Sequence, residues 1–171
     1  MPQGLKQTSS TIAIGFSVDE TAANTFTQSS VDLNLSPLDR EVFVVLAINL
    51  DPFTPDLQAG VNTAVQSSLT TTSQTQVTNL SNSNCLAASG NHIRAAQDIS
   101  DVAVAFQSVG SETPPATLEY IGIIATNDFF IQVEGRGNGE AKGMDGKLYG
   151  YRAVASADIY AALVQSEVLS A

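Results

Sequence analysis

Apolar and polar residues alternate along much of this chain with a period of two, the pattern of a β-strand with one buried face. TIAIGFSV, residues 11–18, shows the alternation without a break, and VDLNL, residues 31–35, repeats it. EVFVVLAINL, residues 41–50, is instead a continuous apolar run rich in β-branched residues, which predicts a central strand covered on both faces. These three segments favour an all-β domain.

Four further segments continue the strand pattern. VAVAF, residues 102–106, alternates large residues with alanine, and TLEYIGII, residues 117–124, indicates a buried strand after Pro114 and Pro115. DFFIQVEGR, residues 128–136, is predicted to point Phe129, Ile131 and Val133 inward and Gln132, Glu134 and Arg136 outward. LYGYRAV, residues 148–154, is predicted to do the same with Tyr149 and Tyr151. GRGNGEAKGMDG, residues 135–146, holds five glycines and predicts a long hairpin between these two strands.

Only the end of the chain has a helical period. Ser156 is a candidate N-cap, Asp158 suits the positive end of the helix dipole, and apolar residues recur at helical spacing from Ile159 to Val168. We predict one domain over residues 1–171: an N-terminal arm or strand (1–20), a β-sandwich (21–155) and a helix (156–171). The fold class is all-β, a single jelly-roll-like two-sheet β-sandwich of about eight strands with a short C-terminal helix.

The middle of the chain is polar but uncharged. SSLTTTSQTQVTNLSNSN, residues 67–84, lies in a longer span, residues 57–93, without Asp, Glu, Lys or Arg. Thr favours strands, while Ser and Asn disfavour helices, so residues 69–78 predict an edge strand and NLSNSN, residues 79–84, a loop. Because this edge has neither lysine nor proline to protect it, we expect another subunit to cover it.

The charge balance disfavours two kinds of partner. Seventeen acidic residues against seven basic ones leave a formal charge of −10, so direct nucleic-acid binding is not expected and contact with an anionic membrane is disfavoured. The first residues lack the basic and apolar regions of a signal peptide. We therefore expect synthesis in the cytoplasm without processing.

The sequence contains few residues that could act in catalysis, so no enzymatic activity and no cofactor are expected. The chain has one cysteine, Cys85, and one histidine, His92, whereas a cupin-type metal centre needs two or three histidines. Cys85 and His92 could form a catalytic dyad. We favour the other interpretation, in which Cys85 is a buried thiol and His92 a loop imidazole. The sequence leaves calcium binding by Asp51 and Asp56 in DPFTPD open.

Paired carboxylates could support glycoside hydrolysis, and the sequence holds three pairs of nearby acidic residues. The pairs are Asp19 with Glu20, Asp39 with Glu41, and Asp98 with Asp101. Each pair flanks a predicted strand and indicates a solvated turn.

The whole pattern resembles the small single jelly-roll proteins of icosahedral virions. The resemblance spans residues 11–155: a polar arm, about eight strands, Ser/Thr-rich loops, low charge and no catalytic signature. It implies a virion structural protein, a capsid subunit that assembles with copies of itself and with other virion proteins. A basic arm is missing, since only Lys6 is present, so direct contact with the genome is not expected.

We predict assembly through four surfaces: the arm, the polar edge, the glycine-rich segment and the C-terminal helix. Their residues are Ile12, Ile14, Phe16 and Val18; Leu69, Thr71, Thr75 and Val77; Arg136, which with Lys142 and Lys147 would meet acidic neighbours; and Tyr160, Leu163 and Val164. Two alternatives remain open. One is a cell-surface or filament subunit that donates residues 11–18 to its neighbour, and the other is a ligand-binding β-sandwich.

Overall fold

Two antiparallel sheets face each other in the computed structural model, which describes residues 2–96, 104–110 and 118–170. Within these ranges the chain forms ten strands and one helix. They are β1 (Leu5–Gln7), β2 (Ile12–Asp19), β3 (Thr27–Asp32), β4 (Glu41–Pro52), β5 (Thr63–Thr70), β6 (Cys85–Ala95), β7 (Val104–Val109), β8 (Gly122–Ile124), β9 (Asp128–Arg136), β10 (Gly143–Ala155) and α1 (Ala157–Leu169).

The strand order is that of a jelly roll. The first sheet runs β2-β10-β4-β8, with β1 beside the far end of β10, and the second runs β3-β9-β5-β6-β7. Along the described strands the chain changes sheet six times: after β2, β3, β4, β7, β8 and β9. This nested antiparallel order distinguishes a jelly roll from an up-and-down sandwich. The predicted fold class is thereby confirmed, including the C-terminal helix.

The inner core lies between the two sheets. Phe129, Ile131 and Val133 point into it as predicted and are almost fully buried. Phe16 of β2 meets Phe129 edge to face, with ring centroids 5.6 Å apart, so the two sheets interlock through an aromatic pair.

Strand β4 is covered on both faces, as its apolar run predicts. Phe43 and Val45 enter the inner core, while Val42 and Val44 lie on the opposite face. Leu46 has no partner on β10, which marks a β-bulge. Because the bulge adds one residue, Ile48 and Leu50 return to the inner core and the alternation is reset.

Helix α1 covers the outer face of the first sheet. Ser156 is its N-cap, as predicted, although the serine side chain makes no capping hydrogen bond. Ile159, Tyr160, Leu163 and Val164 pack against a second cluster of buried residues. That cluster comprises Leu5, Val42, Val44, Ala125, Tyr151, Ala153 and Ala155.

The predicted hairpin after β9 is wrong, because β9 and β10 belong to different sheets. Residues 137–142 cross from one sheet to the other, and of the predicted hairpin's glycines only Gly137 has a positive φ, +69°. Asn24, near β2 and β3, ties this crossover down, since its side chain exchanges hydrogen bonds of 2.8 Å with the backbone of Asn138. Gly143 and Gly146 lie inside β10.

Several strand boundaries and directions also differ from prediction. Of residues 117–124 only Gly122–Ile124 forms a strand, and Leu118 is exposed, while residue 117 and the two prolines lie outside the described ranges. Strand β7 continues to Val109, and residues 102–103 are not described. On β10, Met144 and Leu148 face the inner core, whereas Tyr151 lies under the helix and Tyr149 is exposed.

Candidate interaction surfaces

The predicted arm residues belong to the molecule's own core. Val18 is buried there, Ile14 and Phe16 pack against it, and Ile12 is half-buried. Strand β2 pairs with β10 from Ile12 to Asp19. The alternation is therefore confirmed, but contact with a neighbour through these side chains would require β2 to leave its sheet.

The predicted edge strand over residues 69–78 is wrong. Strand β5 ends at Thr70 and lies between β9 and β6, so it is a central strand, and Leu69 is fully buried. Short-range side-chain bonds end the strand, because the Thr70 hydroxyl donates to the Thr72 carbonyl at 2.7 Å. Residues 71–84 form a connecting segment, which we name the polar loop. Its last part, residues 79–84, is a loop as predicted.

The polar loop covers part of the second sheet's outer face. Gln132 of β9 points away from the inner core, as alternation predicts, but it is fully buried rather than exposed. Its amide nitrogen donates to Thr70 Oγ1 at 2.6 Å and its oxygen accepts from Ser68 Oγ at 2.7 Å. The amide NH of Thr78 reaches the same Ser68 hydroxyl at 3.2 Å.

Gln28 of β3 joins this network to the polar loop. Its oxygen accepts from the Gln74 backbone NH at 2.8 Å and from Gln132 at 3.0 Å, and its nitrogen donates to Ser73 Oγ at 2.8 Å. The uncharged middle of the chain thus packs onto the molecule itself. Thr71 is buried, Thr75 is exposed and Val77 is half-buried.

An open groove lies beside the polar loop on the same outer face. It encloses about 620 Å³ and is lined by Gln66, Val77, His92, Val109 and Arg136 among others. A second depression of about 300 Å³ adjoins it, shares His92 and Arg136, and adds Arg94 and Gln107. We name the two together the outer groove.

Two of the seven basic residues form ion pairs with described residues. Lys142 Nζ lies 2.5 Å from Asp56 Oδ1 and Arg152 Nη1 lies 3.2 Å from Glu41 Oε2. In contrast, Arg94 and Arg136 are exposed and form no ion pair with a described residue. Lys142, which we expected to meet another subunit, is therefore held within the chain, whereas Arg136 remains available.

Two of the acidic residues predicted to lie in solvated turns instead bind backbone NH groups of the fold. Glu20 is buried, and its carboxylate accepts backbone NH bonds from Thr25, Gly135 and Lys142 at 2.6–2.9 Å. Glu41 accepts from the Ser36 NH at 3.0 Å besides pairing with Arg152. Asp98 and Asp101 lie outside the described residues.

The candidate chemical groups do not converge. Cys85 and His92 are seven residues apart on β6, about 23 Å along an extended strand, and burial raises the pKa of the Cys85 thiol. The Asp56 carboxylate forms an ion pair with Lys142 and accepts a hydrogen bond from the Gly139 NH. The Lys142 ammonium lowers the pKa of the Asp56 carboxyl. No group of three metal-ligating side chains occurs in the described part of the chain.

Strand β7 is an unprotected edge of the second sheet. It pairs with β6 on one side, and no described strand pairs with its other side. Its sequence, VAFQSV, holds no charge and no proline, and all six side chains are exposed, with Phe106 at 60%. The edge strands β2, β3 and β8 each have half-buried or buried residues.

No helix in the described residues is long and apolar enough to cross a membrane.

Comparison with known proteins finds matches among solved structures. No family model matches the chain, and the search of curated proteins finds no match. A structure of Desmodium yellow mottle tymovirus aligns at 11% identity over 92% of this chain and 95% of the other, with a TM-score of 0.30. One of turnip yellow mosaic virus aligns at 13% identity over 87% and 98%, with a TM-score of 0.28.

Both of these are virus structures, in keeping with the resemblance noted in the sequence. The strand order is the observation that defines the fold.

Sequence reasoning missed the two features that stand out on this surface. The edge character of β7 depends on which strands flank it, and the outer groove depends on where the polar loop lies. The one local signal was the absence of charge and proline in VAFQSV, residues 104–109.

Proposed function

We propose that this protein is a structural subunit of a virus particle that assembles with further copies of itself into a closed shell. The observation that carries the proposal is strand β7. Among the described residues no strand pairs with the outer edge of β7, so the backbone NH and CO groups on that edge and the exposed Val104, Phe106 and Val109 form a template for pairing with another chain. Folded monomers usually protect such an edge with lysine, proline or a covering segment.

The charge distribution supports contact at this edge. At a net charge of −10, two copies repel each other at long range, so a stable contact needs a surface that adds no further negative charge. Residues 104–109 satisfy this condition because they carry no charge at all. The same net charge disfavours packaged nucleic acid as a direct ligand, so the proposed shell would enclose its contents without a basic lining.

The two alternative functions have less support. A filament built by strand donation needs residues 11–18 to be free, but they are paired with β10 and bury Val18. A ligand-binding sandwich would use the outer groove, which is the remaining feature in its favour.

The test replaces one edge residue. We expect Phe106→Lys to prevent assembly, since a charge at an edge strand opposes pairing. The matched control is Val168→Lys, an equally exposed apolar residue (60%) on the helix over the other sheet. Sedimentation velocity would measure assembly and circular dichroism the fold. Normal assembly of a folded Phe106→Lys variant would contradict the proposal.

A further inference from the structure

We infer that the outer groove binds carboxylate groups of a second copy of this chain. The inference rests on the proposed function, because it names a contact between assembled subunits. It concerns side chains on the outer face of the second sheet rather than backbone pairing along the edge of β7, so each can fail without the other.

The register of the second sheet places two arginines and His92 around the outer groove. Arg136 of β9 lies opposite Ala64 of β5, Ala64 lies opposite His92 of β6, and His92 lies opposite Gln107 of β7. Neighbouring strands are about 4.8 Å apart, so Arg136 and His92 are separated by about 10 Å across a small alanine. Arg94 follows His92 by two residues and therefore shares its face.

The floor of the groove is kept open by small residues. Gly90 lies opposite Gln66, and a Cβ at Gly90 would stand 3.0 Å from His92 Nε2. Any larger residue at this position would crowd the imidazole. Short residues at the floor, with long hydrogen-bonding side chains around them, make a recess that can admit a side-chain carboxylate.

The polar groups around the recess are suited to a carboxylate. Guanidinium groups offer paired NH donors that match its two oxygens, and the amides of Gln66 and Gln107 are further donors. Arg94 and Arg136 have no carboxylate partner among the described residues, unlike Lys142 and Arg152. Glu134 lies on the same face, opposite Gln66, so two arginines and one carboxylate surround the recess. The balance is a net positive site, in a chain with more than twice as many acidic as basic residues.

A second copy of the chain is the occupant that this charge pattern fits. Seventeen acidic residues make each copy a source of carboxylates. The outer groove also continues to β7, since Gln107 and Val109 line it. A copy that pairs with the β7 edge would therefore bring its own surface next to Arg94 and His92, so the two contacts are compatible.

The first test is chemical crosslinking. Arg136→Lys and Arg94→Lys keep the charge and add an amine that carbodiimide can couple to a neighbouring carboxylate. Mixtures of ¹⁴N- and ¹⁵N-labelled protein separate coupling between chains from coupling within one chain by mass spectrometry. We expect mixed-label products that join position 136 or 94 to an Asp or Glu peptide. Lys147, exposed on the first sheet, is the control and should give fewer such products.

Coupling only within one chain, for example to Glu134, would overturn the inference. Free glutarate is the second probe, and NMR of His92 would detect its binding. If glutarate binds and no product between chains forms, the inference is also wrong, because the occupant would then be a small carboxylate.

The second test is charge reversal. Arg136→Glu with Arg94→Glu should weaken association at least tenfold, whereas Lys147→Glu should change it little. If the double variant associates like the wild type while Phe106→Lys does not, the inference is wrong and the proposed function stands. If the wild type itself never associates, both are wrong.

Discussion

Gln28 is the residue that holds the polar loop to the sheet. Replacing it with alanine removes three hydrogen bonds, one of them to the buried Gln132. We expect Gln28→Ala to lower the free energy of unfolding by about 1–3 kcal/mol and to speed amide exchange in residues 71–84.

The control for this change is Ser30→Ala, two residues along the same strand and exposed. Urea unfolding and hydrogen exchange would compare the two variants. Equal midpoints and equal exchange in the polar loop would show that Gln28 does not hold it.

Glu167 gives a prediction about pH. Its buried carboxylate accepts backbone NH bonds from Ala125 at 2.9 Å and Thr126 at 3.1 Å, near the negative end of helix α1. Burial raises the pKa of this carboxyl above its ordinary value of 4.5, although the hydrogen bonds oppose the shift. The folded state therefore takes up a proton more readily than the unfolded state, and stability falls as pH rises from 4.5 through the folded pKa.

Glu167→Gln removes this titration while keeping the shape of the side chain. We expect the unfolding free energy of the wild type to decline relative to the variant as the pH rises above 4.5, until the folded carboxyl is ionised. Urea unfolding across that range measures the difference, in which titrations common to both proteins cancel. Parallel pH curves would mean that burial does not dominate at Glu167.

The polar residues of the core show where sequence reasoning ends at this scale. Glu20 was predicted to be solvated, yet it binds backbone groups of Gly135 and Lys142, more than a hundred residues away. Gln132 is predicted to point outward, and its direction is correct, but it is fully buried. Its burial depends on a loop whose position no local pattern encodes.

The contact between β1 and helix α1 depends on Gly4. This glycine has φ +79°, and a Cβ there would overlap Ile159 Cδ1. We expect Gly4→Ala to lower the free energy of unfolding by about 1–2 kcal/mol, because an L-residue is strained at positive φ.

Gly15 of β2 is the matched position, because a Cβ there would contact nothing within 4 Å. Gly15→Ala should leave stability unchanged or raise it by up to about 1 kcal/mol. Thermal and urea unfolding would separate the two variants, and equal losses would argue against the docking of α1 on β1.

Strand β2 lies at a sheet edge but packs on the inner core through Val18. We expect Val18→Asp to destabilise the fold by about 3–5 kcal/mol, since it buries an unpaired charge. Ala13→Asp, on the exposed face of the same strand, should change stability by less than about 1 kcal/mol. Equal effects in urea unfolding would show that β2 does not pack on the core, and would restore the strand-donation alternative.

The elements that sequence predicted well are those whose pattern is local. Residues 11–18, 41–50 and 128–136 form strands with the predicted buried faces, and the C-terminal helix packs through Ile159, Tyr160, Leu163 and Val164. The hairpin after β9 was predicted wrongly, because glycines permit a turn but do not determine which strands pair. Pairing of β9 with β5 and of β10 with β4 joins segments that are distant in sequence.

At the scale of the whole molecule, the jelly roll leaves two surfaces without an internal role. The β7 edge has no partner strand in the described residues, and the outer groove holds arginines without ion pairs. The predicted surfaces of the arm and helix are largely engaged within the chain, so we now assign assembly to the second sheet.

The central claim is that the protein assembles with itself, and the mass of the purified wild type tests it most directly. Light scattering coupled to size exclusion, with negative-stain microscopy of the same fractions, would measure the mass and shape. We predict closed shells, or rings that build sheets. A monomer of 17.9 kDa at every concentration and salt would contradict the account.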